Sequence, residues 1–160
     1  MDPLLNKSHE ELRQEVRSFA EKEIAPVARE LDETSTFSEK LTHRMFDLGL
    51  LGINTPKEYG GRGLDTLAYI VAVEELARVD GSQAATVAAH NSLGIAPILN
   101  YGTKKQIDTY LPKLIGERKL WAFGLTEPNA GSDSNNTETV AELKDGNWHI
   151  NGGKIYITNS

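Results

Sequence analysis

Cysteine is absent from all 160 residues, which removes disulfides, thiolate metal sites and a cysteine nucleophile together. A reducing compartment fits that absence. Positive charge is also scarce: 17 Lys and Arg stand against 23 Asp and Glu, a formal net charge of −6. A nucleic-acid role therefore lacks its electrostatic footprint. No stretch reaches about 18 uninterrupted apolar residues, so no segment reads as a membrane span. The start, MDPLLNKSHEELRQEV, has no basic region followed by an apolar core, and no secretory signal is read there.

The common phosphate and metal motifs are missing too. Gly61-Arg62-Gly63 has Thr66 where the dinucleotide fingerprint needs its third glycine, and Gly153-Lys154 is followed by Ile155, which is no phosphate-binding loop. His9, His43, His90 and His149 lie far apart, with no pair at ligand spacing, so no metal is expected. A Gly-x-Ser-x-Gly nucleophile elbow is absent as well.

What is present is ordinary globular material, 39% hydrophobic and 25% charged. The first two-thirds reads as helix. Ser8 with Glu11 forms a capping box ahead of Leu12, Val16, Phe19 and Ala20 at helical spacing. Pro26 kinks or restarts that segment. A second helix runs from Ser38, with Leu41, Met45 and Leu48 on one face, to a stop at Gly49. Pro56, Gly60, Gly61 and Gly63 punctuate a loop. From Asp65 or Thr66 a long helix carries Leu67, Ile70, Val71, Glu74 and Leu76. The next, SQAATVAAHNSLGIAPIL, is small or apolar nearly all round and is expected to be buried. Thr103 caps a further helix through Tyr110, and Pro112 opens the segment after it.

The texture then changes. Trp121 to Leu125 reads as a strand, and TVAELKDGNWHINGGKIYITN reads as short strands turning at Asp145-Gly146 and Asn151-Gly152-Gly153. Trp148, His149 and Ile150 alternate as in a half-buried sheet, and Tyr156 and Thr158 share a face of the last strand by period 2. About 120 residues of helix followed by about 40 of β-structure is little for an independent sheet, and points to a fragment or to a protein completed by a partner. Between the two textures stands WAFGLTEPNAGSD. Its Gly131, Ser132 and hydroxyl groups offer outward donors suited to an anion or to the polar edge of a planar ring; a plain connecting turn accounts for the same residues. Glu127, before Pro128, reads as a solvated or loop-bracing carboxylate rather than a general base. His90, in an apolar helix, reads as a hydrogen-bonded structural histidine.

FGLTEPNAGSD followed about twenty residues later by INGGKIYITN resembles the paired signature stretches of flavin-dependent acyl-CoA dehydrogenases. The likeness extends upstream through YGGRGLD, VEELARVDGS, AAHNSLG and YGTKKQIDTYLPKLIGE, over nearly the whole chain, and its texture is most like the short-chain or butyryl type. The fold it implies is mainly α with a β segment: an N-terminal helical domain over residues 1–120 and the beginning of the central β-domain over 121–160. The family's C-terminal helical domain is not in this sequence.

The resemblance also implies chemistry. FAD is the cofactor and an acyl-CoA thioester the substrate, converted to the trans-2-enoyl thioester. Electron-transfer flavoprotein is the redox partner, and the full-length assembly is a homotetramer. Flavin contacts fall on Phe123, Gly124, Leu125, Thr126, Gly131, Ser132, Tyr156, Ile157 and Thr158. Thr126 bonds the pyrimidine edge, Ser132 meets both pyrophosphate and thioester, Thr158 faces N5 and Tyr156 covers the ring. Thr86, Ala89 and Leu93 border the acyl chain. The glutamate base is expected beyond residue 160, so no catalytic residue is assigned and the chain alone is expected to be inactive. The bacterial cytoplasm or the mitochondrial matrix is the implied location. Asn129 stands where the family often has Gly, which Asn satisfies through left-handed backbone angles; at Phe123 the family often has Tyr, and at Tyr156 often Trp or Phe, swaps that keep an aromatic face. The competing reading is a truncated, non-catalytic helical binding or assembly module.

Overall fold

Asn6, not Ser8, opens the first helix of this computed structural model, which describes residues 4–160. Its Oδ1 accepts the His9 amide at 3.0 Å, and His9 Nδ1 accepts the Asn6 amide at 3.3 Å. A capping box asks only for an acceptor three residues inside the helix, and histidine supplies it in place of Glu11. Leu12, Val16 and Phe19 of this helix, α1 (Lys7–Phe19), then reach the core as their spacing predicts.

Ile-Ala-Pro occurs at residues 24–26 and again at 95–97, and the backbone responds alike both times. A π-helical turn, Ala20–Ile24 or His90–Ile95, widens the helix just before the Ala, whose amide reaches back to Ala20 or to Asn91. Proline lacks an N–H, and its ring collides with the carbonyl four residues back; widening the turn upstream lets the helix continue. Pro26 thus restarts the helix as α2 (Ala25–Glu33).

Ser38 caps α3 (Glu39–Asp47), which buries Leu41 and Met45 and ends before Gly49 in the left-handed region, φ 66°. Leu50, Leu51 and Ile53 in the following loop are fully buried. Asp65 caps α4 (Thr66–Ala77) through the Ala68 amide and also meets His9 Nε2 at 2.9 Å, joining the starts of α1 and α4. Ala68, Val71, Ala72 and Leu76 face inward, while Ile70 is half exposed. Asp80 caps α5 (Gly81–Ala89). That helix and the π-turn after it are not buried all round: Gln83, Ala84, Thr86, Val87, His90 and Asn91 point inward, and Ala85, Ser92 and Leu93 outward. After α6 (Ala96–Tyr101), Thr103 and Gln106 form the capping box of α7 (Lys104–Gly116). α7 runs on past Tyr110 and through Pro112 instead of breaking there. α1 packs on α4 and α4 on α5, around Val16, Phe19, Ile24, Met45, Leu51 and Leu76.

β1 (Val140–Lys144) and β2 (Asn147–Asn151) form an antiparallel hairpin with Val140 opposite Asn151. Asp145 and Gly146, at φ 51° and 78°, make the left-handed two-residue turn that matches strand twist. The fold is therefore mainly helical with a β segment. The strand predicted at Trp121–Leu125 is instead irregular chain without a ladder, and 156–158 form no strand either. Both faces of the hairpin are open, so Trp148, His149 and Ile150 are exposed rather than half-buried. Period 2 records where a side chain points, and another layer must still arrive to cover it.

Candidate functional site

Glu127 is the structural centre of the loop the sequence singled out. Its side chain is buried, with Oε2 accepting the Glu138 amide at 2.6 Å and Oε1 the Thr139 amide at 3.1 Å. Lys154 Nζ donates to Oε1 at 2.6 Å and to the Leu125 carbonyl at 3.0 Å. Backbone bonds between Glu127 and Ala130 close the turn through Pro128 and Asn129. The Lys154 ammonium, followed by the donors at 138 and 139, holds the carboxyl down at about 2. An anion this well satisfied is a poor proton acceptor. Glu127 is a brace. Asn129 does not take a left-handed angle; nearby, Tyr156 and Asn159 do, at φ 57° and 69°.

Three segments distant in sequence meet beside this brace. The Ile155 amide donates to the Thr126 carbonyl at 3.0 Å. Asn159 Nδ2 donates to the carbonyls of Thr86 at 3.1 Å and Trp121 at 3.4 Å. The Trp121 amide donates to His90 Nδ1 at 3.0 Å. Residues 121–127, 154–159 and the α5–π segment are thereby tied to one another, although each is irregular or helical and no sheet joins them.

Phe123, Gly124 and Leu125 are exposed along the irregular segment, and Thr126 is half-buried at its end. Gly131 and Ser132 are exposed past the Glu127 turn. Tyr156 is 90% exposed, Ile157 half-buried and Thr158 exposed. Thr86 is buried with its hydroxyl on the Ser82 carbonyl at 3.1 Å; Ala89 is half-buried and Leu93 exposed. Sequence reading missed three partners: Lys154, weighed only as a failed phosphate loop, His90 as a ligand of Trp121, and Asn159. Their partners lie 27 to 73 positions away, beyond any local pattern.

The donor set suits a flat polar ligand. Among the described residues no hydrogen bond engages the hydroxyls of Thr126, Ser132 or Thr158, or the amides of Gly131 and Ser132. A Cβ placed on Gly131 would meet nothing within 4 Å, so the loop is open on that side and backbone can approach a ligand closely. Tyr156 stands outward in a left-handed conformation costing about 1–3 kcal/mol for a bulky residue, a strain that collects at ligand sites.

Residues 6–118 match the acyl-CoA dehydrogenase N-terminal domain and residues 122–160 the middle domain of the same family. The short-chain specific acyl-CoA dehydrogenase of Clostridium acetobutylicum is 47% identical across 99% of this chain and 42% of its own length. Butyryl-CoA dehydrogenase from Megasphaera elsdenii superposes with a TM-score of 0.90 at 39% identity, over 98% of this chain and 42% of that one. An acyl-CoA dehydrogenase complexed with FAD from Bacillus anthracis gives a TM-score of 0.90 at 34% identity, over 100% of this chain and 28% of its own. The chain thus spans about two-fifths of the length of its short-chain relative. With both stretches matched and the helical scaffold superposed, the chain belongs to the acyl-CoA dehydrogenase family.

Proposed function

We propose that this chain is the N-terminal portion of an FAD-dependent acyl-CoA dehydrogenase acting on short acyl-CoA thioesters, with residues 1–120 as its helical domain and 121–160 opening its β-domain. Bound FAD supplies the acceptor for hydride leaving the β carbon. The chain's own part is orientation. Thr126, Ser132 and Thr158 offer free hydroxyls to the ring edge and the pyrophosphate, and the Gly131 and Ser132 amides add donors. Phe123, Gly124, Leu125, Ile157 and Tyr156 line the ring's surroundings. Thr86, Ala89 and Leu93, on one helical segment, border the acyl chain, where one added methylene either fits or clashes at about 1–3 kcal/mol. The base that takes the α proton is expected outside these 160 residues, since Glu127 is already committed to Lys154 and two amides. Electron-transfer flavoprotein reoxidises the full-length tetramer, in the bacterial cytoplasm or the mitochondrial matrix.

The observation that supports this reading is the tie of the Ile155 amide to the Thr126 carbonyl, which joins two stretches of the family signature that lie about thirty residues apart. The test is titration of the 160-residue chain with FAD, then desalting and an absorption spectrum, with butyryl-CoA and electron-transfer flavoprotein added last. Retained yellow colour without turnover is expected. A colourless chain overturns the flavin reading in favour of a helical assembly module; turnover overturns the external base.

A further inference from the structure

His90 is wholly buried, yet it performs none of the roles the proposed chemistry needs. It begins the π-turn His90–Ile95, directly after Thr86 and Ala89 on α5. Its ring meets Phe46 edge to face, centroids 5.7 Å apart at 83°. Nδ1 accepts the Trp121 amide at 3.0 Å, so Nδ1 carries no proton and the neutral ring has its hydrogen on Nε2. One helical turn on, Gly94 leaves room for Trp121: a Cβ there would stand 2.4 Å from Trp121 Cβ. From the other side Asn159 bonds the Trp121 carbonyl and the Thr86 carbonyl together. Trp121 is thus held at its amide, its side-chain root and its carbonyl, at the residue where the segment leading to Thr126 begins.

We propose that His90 is a positioning residue: its unprotonated Nδ1 fixes the start of the 121–126 segment on the α5–π helix, and so sets the distance between the flavin edge and the acyl wall. The inference rests on the flavin reading above for its consequence, but not for the clamp itself. The physical basis is that a wholly buried ring whose Nδ1 accepts the Trp121 amide would, if replaced by an apolar side chain, leave that amide without its acceptor. The π-turn matters because it brings Gly94 as well as His90 against Trp121, and single π-turns commonly mark functional positions.

The experiment separates clamp from cofactor. Amide exchange at Trp121 is followed by NMR on the 160-residue chain without FAD, and FAD affinity is measured by titration on the same samples. His90→Leu removes the acceptor, whereas His90→Asn keeps an oxygen near the place of Nδ1. Gly94→Ala leaves His90 intact and crowds Trp121. Exchange at Trp121 is expected to accelerate on the order of tenfold or more in H90L and G94A, with FAD binding weakened about tenfold, and both should return close to wild type in H90N. Unchanged Trp121 exchange in H90L and G94A overturns the clamp. Faster exchange with unchanged FAD affinity overturns the positioning role. Loss of the helical circular dichroism in H90L leaves the decision to G94A and H90N, which are read the same way. A wild-type chain that takes up no FAD overturns the flavin reading and the positioning role, while exchange still decides whether the clamp exists.

Discussion

Mild acid is expected to weaken this fold through a single imidazole. Burial against Phe46 and Trp121 drives the His90 pKa down from 6.5 to about 4, with the Leu51 carbonyl acting weakly in the other direction. A folded-state value below the unfolded one means that the unfolded chain binds the extra proton first. The stabilising contribution is therefore complete above pH 6.5, declines from there, and is exhausted once pH has fallen through about 4. Between the two values each pH unit is worth about 1.4 kcal/mol, so the loss from pH 7.5 to pH 5 comes to about 2 kcal/mol from this residue alone. The carboxylates with lowered values, Glu75, Glu23, Asp65 and Glu127, respond in a more acid window, below their ordinary range near 4. Urea unfolding followed by circular dichroism at half-unit steps from pH 7.5 to 5 measures the slope. The His90→Asn variant, which cannot titrate there, supplies the baseline for every other group. A slope difference between the two proteins below about 0.5 kcal/mol over that span would refute the claim that His90 is buried neutral on the Trp121 amide.

Four further outcomes follow from the same contacts. Gly131→Val should leave the unfolding midpoint in urea essentially unchanged, because a Cβ there meets nothing within 4 Å, while FAD titration shows strongly weakened binding; an unaltered affinity counts against the proposed flavin loop. Glu127→Ala should make the backbone around 138 and 139 exchange on the order of tenfold faster, since both amides lose their acceptor, and hydrogen-exchange mass spectrometry that finds residues 128–139 unaltered dismisses the brace. Glu75→Ala removes a buried carboxylate bonded twice at 2.8 Å by Arg17 and once at 2.8 Å by Arg78. The expected loss is about 2 kcal/mol in urea unfolding, below the range for fully buried pairs because the arginines are half exposed; no loss would mean that water replaces the pair. Asn91→Ala strands the Ile53 amide and the Leu50 carbonyl and should cost about 2–3 kcal/mol, with a near-neutral result showing that the 50–53 loop is held by packing alone.

Helix starts were legible where the signal is chemical and local. Ser38, Asp65 and Thr103 each cap the helix that follows them, because a short side chain needs only an amide two or three residues away. At the N-terminus the same logic misassigned the cap by two residues. Asn6 and Ser8 are both able to serve, and the choice is settled by His9, which also reaches Asp65 at 2.9 Å across the α1–α4 packing. Strands failed for a different reason. Trp121–Leu125 and Tyr156–Thr158 have the composition of strands, but a ladder is a property of two segments, and neither finds a partner strand among the described residues. The same absence of a covering layer exposes Trp148 and Ile150, which alternation alone had placed half in a core.

The site divides along that line. The family signature located the donor-bearing loop, since hydroxyls and glycines announce themselves residue by residue. What orients the loop was not readable: Glu127 with Lys154, Trp121 with His90, and Asn159 with Thr86 are each one polar residue paired across tens of positions, with no repeat to betray them. The duplicated Ile-Ala-Pro is the exception, a signal plainly present whose meaning needed the backbone. The Ile of its second copy closes the π-turn that begins at His90. A widened helical turn before a proline is therefore more than an accommodation here. It sets the register between His90, which accepts the Trp121 amide, and Gly94, where a side chain would meet Trp121, so that the proline at 97 bears on contacts at 121 through the six residues from His90 to Ile95.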